Sequence, residues 1–219
     1  MEKVKYSRIP RHIAIIPDGN RRWALNNNME KHEGYDYGVD VGLKAFDILK
    51  DLGVEEVTFF GFTQDNTKRP KEQYDAFSKA CVNAVKSLES RDAEILVVGN
   101  TDSNMFPNDL LPYTTRTTFG KGGIKINHLV NYGWYWDIKC AYDNPSNNED
   151  ILKNIGSSGI SRIDVVMRWG GRHRLSGMLP IQTVYADTYI IDDMWPDFKP
   201  EHIYNCLDWY QSQDVTLGG

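Results

Sequence analysis

A chain of 219 residues, 41% hydrophobic and 25% charged, is long and apolar enough for one domain with a sizeable core. That excludes disordered and low-complexity classes. A formal net charge of −5 and a pI near 5.5 argue against a nucleic-acid or anionic-membrane surface across the whole molecule. The 11 arginines are nonetheless clustered, with Arg168, Arg172 and Arg174 inside seven residues and Arg21 beside Arg22, the pattern of a local anion site.

The three cysteines, Cys81, Cys140 and Cys206, match neither a disulfide framework nor a metal-binding spacing, and read as thiols in a reducing cytosol. The polar opening MEKVKYSRIPRH has no secretory h-region, and no apolar run reaches the roughly 20 residues of a transmembrane segment. A soluble, cytoplasmic protein is expected.

In chain order, His12–Ile16 (HIAII) is a continuous apolar run that suits a buried parallel strand, ended by Pro17. Asp18-Gly19-Asn20 supplies a turn before a short helix over RRWAL. Apolar residues recur at helical spacing from Val39 to Leu52, and Gly53 ends that helix. Val54–Phe62 reads as the next strand, and Pro70 opens a helix continuing through Tyr74, Phe77, Cys81, Val85 and Leu88. Ile95–Val98, Ile124–Val130 and Ile163–Met167 are further strands. Residues 100–123 lack a pattern and read as a surface excursion. Strands alternating with helices, without a linker, predict a single α/β domain over 1–219 built on a parallel sheet.

Ligands of such sheets bind beyond the carboxyl ends of the strands, and four strand ends carry unusual polar residues. In Asp18-Gly19-Asn20-Arg21-Arg22-Trp23 the glycine allows close backbone approach, and two arginines offer fork donors suited to phosphate. Asp18 among them suits a Mg²⁺ ion shared with substrate phosphates. Thr63–Pro70 (TQDNTKRP) combines hydroxyl, amide and guanidinium groups fit for a polar lid. Arg168-Trp169-Gly170-Gly171-Arg172-His173-Arg174-Leu175-Ser176 sets two glycines between arginines, so backbone and side-chain donors converge on one anion. Tyr185-Ala186-Asp187 is the fourth. Phosphate-loop, dinucleotide, serine-hydrolase and zincin motifs are absent.

These segments in this order resemble the cis-prenyltransferase family. HIAIIPDGNRRWA matches its opening motif, and FTQDNTKRP stands at its Ser-x-x-Asn-x-x-Arg-Pro loop. Asn131–Ile138 (NYGWYWDI) resembles its Asn-Tyr-Gly segment, and IDVVMRWGGRHRLSGMLPIQTVYAD matches its Arg-x-Gly-Gly block. The resemblance implies a homodimer, a six-stranded parallel sheet flanked by helices, and a hydrophobic tunnel between sheet and helices. It implies condensation of isopentenyl diphosphate with an allylic diphosphate, with Mg²⁺ as cofactor and no nucleic-acid partner. Carried over, Asp18 is catalytic and holds the metal, Asn66 is catalytic in the lid, and Asp187 stands at a second metal-ligand position. Gly19, Asn20, Arg22 and Lys31 fall where the family contacts the allylic diphosphate, and Arg168, Arg174 and Ser176 where it binds the second diphosphate. Arg21, Trp23, Tyr35, Thr63 and Arg69 complete the expected substrate-binding set.

Some positions depart from the family's pattern. Pro17 precedes the key Asp, Tyr35 stands where a phosphate-contacting His is usual, and Thr67, Trp169 and Asp187 replace an aromatic, a Thr and a Glu. The terminal segment Val215–Gly219 lacks the family's arginine. Pro17, Tyr35 and Leu179-Pro180 resemble the lavandulyl-type branch, in which allylic units join irregularly. The helix from Pro70 to about Ser90 is short for a long-chain enzyme, and with Tyr74 and Phe77 on its apolar face it predicts a short product. Regular short-chain synthesis leads; irregular coupling or cyclisation and a non-catalytic partner subunit are the alternatives.

Overall fold

The computed structural model describes residues 6–143 and 151–214; the terminal segment Val215–Gly219 lies outside them. The elements are β1 (His12–Ile16), α1 (Asn20–Asn26), α2 (Gly34–Asp51), β2 (Glu56–Thr63), α3 (Lys71–Ser87), β3 (Ala93–Val98), β4 (Thr117–Phe119), β5 (Ile124–Tyr132), α4 (Trp134–Tyr142), α5 (Ile151–Asn154), β6 (Val165–Arg168), β7 (Asp187–Ile190) and α6 (Pro200–Gln211).

The sheet order is β4-β3-β5-β2-β1-β6-β7. Six strands pair in parallel, and the three-residue β4 adds an antiparallel edge on β3. This is the expected six-stranded parallel sheet with one short strand added. β4 comes from the stretch read as a surface excursion, which is corrected in a second respect: Phe106, Leu110 and Tyr113 within it are buried in the core. Phe106, Leu110 and Tyr113 stand at helical spacing, but Pro107 and Pro112 fall between them, and only a short 3₁₀ turn forms over Asn108–Tyr113.

β1 is buried over its whole length because both faces of the sheet are covered, one by helices and the other by the segments carrying Ile163 and Met178. Ile13, Ile15, Val57, Phe59 and Ile126 pack beneath α2 and α3, which bury Phe46, Leu49, Cys81 and Val85 against them. Each such large side chain contributes roughly 1.5–3 kcal/mol. Ala14, Ile16, Phe60, Leu96, Val98 and Leu129 face the other way, onto Ile163, Met178 and Leu179. β1 pairs with β2 on one side and β6 on the other. The sheet order therefore reverses at β1, where a crevice opens beyond the strand ends.

Candidate active site

The turn after β1 sets the first wall of that crevice. Gly19 has φ +110°, and a Cβ there would come within 2.8 Å of Met194 Cβ, so the chain can turn into α1 only through glycine. Asp18 follows β1 directly, and Arg168 ends β6, one strand away. Arg168 Nη2 donates to Asp18 Oδ2 at 2.7 Å, and its Nη1 donates to Ser176 Oγ at 3.0 Å and to the Arg174 carbonyl. The guanidinium is 3% exposed, and its Nε is buried without a partner among the described residues. Arg22 donates to the Gly170 carbonyl at 2.9 Å and approaches Asp18 Oδ1 at 3.7 Å. A Cβ on Gly170 would meet Arg22 Nη2 at 2.5 Å, which explains the glycine between the arginines.

The opposite wall comes from the loop after β2. Thr63 N–H donates to Asn66 Oδ1 at 3.0 Å and opens a short 3₁₀ turn over Gln64–Lys68, leaving the Asn66 NH₂ as the end that can donate to a ligand. Arg69 Nη1 donates to Tyr35 Oη at 2.9 Å. Tyr35 stacks on Phe77 with ring centroids 4.5 Å apart. Burial raises the Tyr35 phenol above its usual pKa and lowers that of the Arg69 guanidinium; the phenol stays neutral and accepts that hydrogen bond.

These walls enclose a cleft of about 540 Å³ lined by Arg21, Arg22, Lys31, Arg69, Arg168, Arg172 and Arg174, with Asp18 and Asp65 as its carboxylates. Seven cations against two acids, in a chain of net charge −5, make this an anion site. Gly19, Asn20, Tyr35, Thr63, Asn66 and Ser176 also line it. Arg172 had no assigned role in the sequence beyond its place in the arginine cluster.

The structure does not bring Trp23 or Asp187 into this cleft. The helical turn carries Trp23 to the far side of α1, where its indole N–H donates to Asp197 Oδ1 at 2.7 Å. Asp187 starts β7 and pairs with Val165 at the start of β6, whereas Asp18 follows the end of β1. Within one chain the two carboxylates lie at opposite ends of the parallel strands. Asp137 of the Asn-Tyr-Gly segment is likewise structural: it is buried and accepts from Tyr132 Oη, Ser157 N and Ser157 Oγ, each at 2.7 Å.

Behind the cleft, between the sheet and helices α2 and α3, runs a narrow apolar tunnel of about 80 Å³. Pro17, Asn20, Tyr35, Gly61 and Phe77 belong to both cavities and form the neck between them. Room for the tunnel comes from Gly38 and Gly42 on α2 facing Ala80 and Ala84 on α3. Each pair is spaced by one helical turn, a signal visible in the sequence. Phe46, Leu88 and Ile126 line its apolar wall. Phe77 is at the neck, while Tyr74 turns aside to donate to the Met105 carbonyl at 2.7 Å. Trp169 is core, packed edge-on against Trp195 at 4.7 Å.

Among the described residues no three His, Cys, Asp or Glu side chains gather to hold a metal. Asp18 alone fits an ion whose remaining ligands are phosphate oxygens and water, the usual Mg²⁺ arrangement. No described helix is long and apolar enough to cross a membrane.

Residues 16–218 match the sequence profile of a family described as putative undecaprenyl diphosphate synthase. The chain belongs to that family of prenyltransferases. It is 32% identical to the isoprenyl transferase of Clostridium tetani, over 96% of this chain and 90% of that one. It is 31% identical to the ditrans,polycis-undecaprenyl-diphosphate synthase of Pseudomonas putida, over 100% and 95%. Its fold is similar to that of lavandulyl diphosphate synthase from Lavandula x intermedia, solved with dimethylallyl diphosphate, with TM-score 0.84 at 21% identity over 96% of this chain and 98% of that one.

Proposed function

We propose that this prenyltransferase is a Mg²⁺-dependent synthase joining isopentenyl diphosphate to a short allylic diphosphate to give a short cis-prenyl diphosphate. One observation carries the reading: a cation-lined cleft opens through a shared neck into a small apolar tunnel. A diphosphate head with a hydrocarbon tail matches both parts at once.

The chemistry breaks the allylic C1–O bond, forms a carbon–carbon bond to isopentenyl diphosphate and releases a proton. Arg22 and Asn20 hold the allylic head, and Arg168, Arg174 and Ser176 hold the second diphosphate so that the two carbons meet in a near-attack pose. Guanidinium groups fixed around the cleft stabilise the charge that builds on the departing diphosphate. When bound at Asp18, Mg²⁺ adds further neutralisation of that leaving group. Tyr35 and Phe77 at the neck, with the tunnel behind them, keep water from the cationic carbon. Trp134, Tyr135, Ile138 and Tyr142 form an exposed apolar face on α4 of the kind a homodimer covers.

The small tunnel also favours a second reading, irregular coupling of two five-carbon allylic diphosphates. Purified protein with Mg²⁺ should be given dimethylallyl diphosphate alone, then with isopentenyl diphosphate, and the products identified by mass spectrometry. Product only from the pair supports regular condensation. Product from the single substrate supports the irregular reaction, and none from any pairing refutes both.

A further inference from the structure

Two loops that line the cleft, the turn at Asp18 and residues 168–176, are held by residues 191–195, which do not line it. Gly171 N–H donates to the Ile191 carbonyl at 3.1 Å, and Gly170 N–H to the Asp193 carbonyl at 2.9 Å. Trp195 N–H donates to the Asp18 carbonyl at 3.0 Å. One side chain of α6 clasps this segment. His202 Nε2 lies 3.0 Å from Asp193 Oδ2, and its Nδ1 accepts the Trp169 indole N–H and the Lys199 backbone N–H, each at 3.2 Å. Two N–H donors aimed at Nδ1 need a lone pair there, so the ring carries its proton on Nε2 and donates it to Asp193. The ring is 11% exposed and Trp169 is fully buried, so water is no substitute partner for the indole.

We propose that His202 is a positioning residue for the second diphosphate, acting through Trp169 and Asp193 on the arginine loop. Trp169 directly follows Arg168, whose guanidinium meets Asp18 and Ser176. Gly170 and Gly171 come next, with φ +84° and +65°. Glycine has wide backbone freedom, so this stretch takes its shape from the contacts around it. Those contacts are the Trp169 indole, whose single donor points at His202, and the two N–H bonds to residues 191–195. The Gly170 carbonyl in turn receives Arg22. An imidazole with one N–H and one lone pair serves both partners at once, and small misplacements of such a loop cost binding or rate. The inference rests on the proposed synthase reading.

The test compares the unaltered protein with His202→Phe, which keeps the ring and removes both nitrogens, and His202→Asn, which keeps an acceptor at the position of Nδ1. In His202→Phe, KM for isopentenyl diphosphate should rise about tenfold, the value of one hydrogen bond, while kcat and KM for dimethylallyl diphosphate stay within about threefold. His202→Asn should recover most of that rise. A merely structural histidine predicts otherwise: fewer folded molecules lower apparent kcat and leave both KM values alone. That pattern, or an unchanged KM for isopentenyl diphosphate in folded His202→Phe, overturns the role of His202 while the synthase reading stands. Equal losses in His202→Asn and His202→Phe overturn it as well. Where His202→Phe does not fold, His202→Gln, which reaches Asp193 but has no acceptor at Nδ1, takes its place with the same expected rise. Failure of both to fold shows a structural imidazole and overturns the inference. Absence of turnover in the unaltered protein refutes the synthase reading and this inference with it.

Discussion

Asp18 and Arg168 face each other at 2.7 Å from the ends of adjacent strands, with the carboxylate one-third exposed and the guanidinium 3% exposed. The buried arginine orients the carboxylate, and the exposed side of the carboxylate meets the cleft. Asp18→Ala and Asp18→Asn should both lower turnover by about 10²-fold or more, the usual cost of removing a group that handles charge in the transition state. Circular dichroism should be unchanged. Undiminished turnover in either variant would refute the assignment of the metal and leaving group to Asp18.

Arg168 spends its fork on Asp18, Ser176 and the Arg174 carbonyl. A lysine carries the same charge but cannot reach all three. Arg168→Lys should therefore reduce kcat/KM for isopentenyl diphosphate by roughly tenfold or more and destabilise the fold by about 1–2 kcal/mol. Steady-state kinetics and urea unfolding read the two effects separately. Wild-type kinetics in this variant would show that the guanidinium geometry is dispensable.

At Gly19 the constraint is backbone geometry. Gly19→Ala combines a φ of +110° with a 2.8 Å approach to Met194 Cβ. It should destabilise by about 1–3 kcal/mol and lower turnover, because the same turn places Asp18. A urea midpoint equal to the parent's would show that the turn relaxes without cost.

Much of this arrangement is legible in the sequence because it depends on short-range signals. A continuous apolar run marks β1 and β-branched residues mark β5, and the polar motifs fall at strand ends, so a parallel sheet brings Asp18, Asn66 and Arg168 to one end of the strands. Asp187 and Trp23 show where that reasoning stops. Whether Asp187 lies at the top or bottom of β7 depends on strand register, and the side of α1 that Trp23 takes depends on what packs there. Neither is local. β4 escapes notice because three residues carry too little pattern. His128 escapes for a different reason: a single histidine inside Ile124–Val130 reads as strand, and its place in the tunnel wall appears only once α2 and α3 are laid over it.

Buried neutral histidines also make stability depend on pH in a defined direction. His128 is lowered from 6.5 to about 4 by burial. His12, 1% exposed and bonded to Thr58 Oγ1 at 2.8 Å, is lowered for the same leading reason. In the unfolded chain both rings take up protons near pH 6.5; in the folded protein they resist. The unfolded state thus binds more protons below that pH, and folding stability falls as pH drops from about 6.5 towards 4. His128 contributes a slope of up to about 1.4 kcal/mol per pH unit within that window, and His12 adds to the fall in the same direction. Urea unfolding at pH 7, 6 and 5 should show this decline. His128→Phe should remove one ring's share of the slope and leave that of His12, whereas an identical pH profile would place His128 in contact with water in the folded protein.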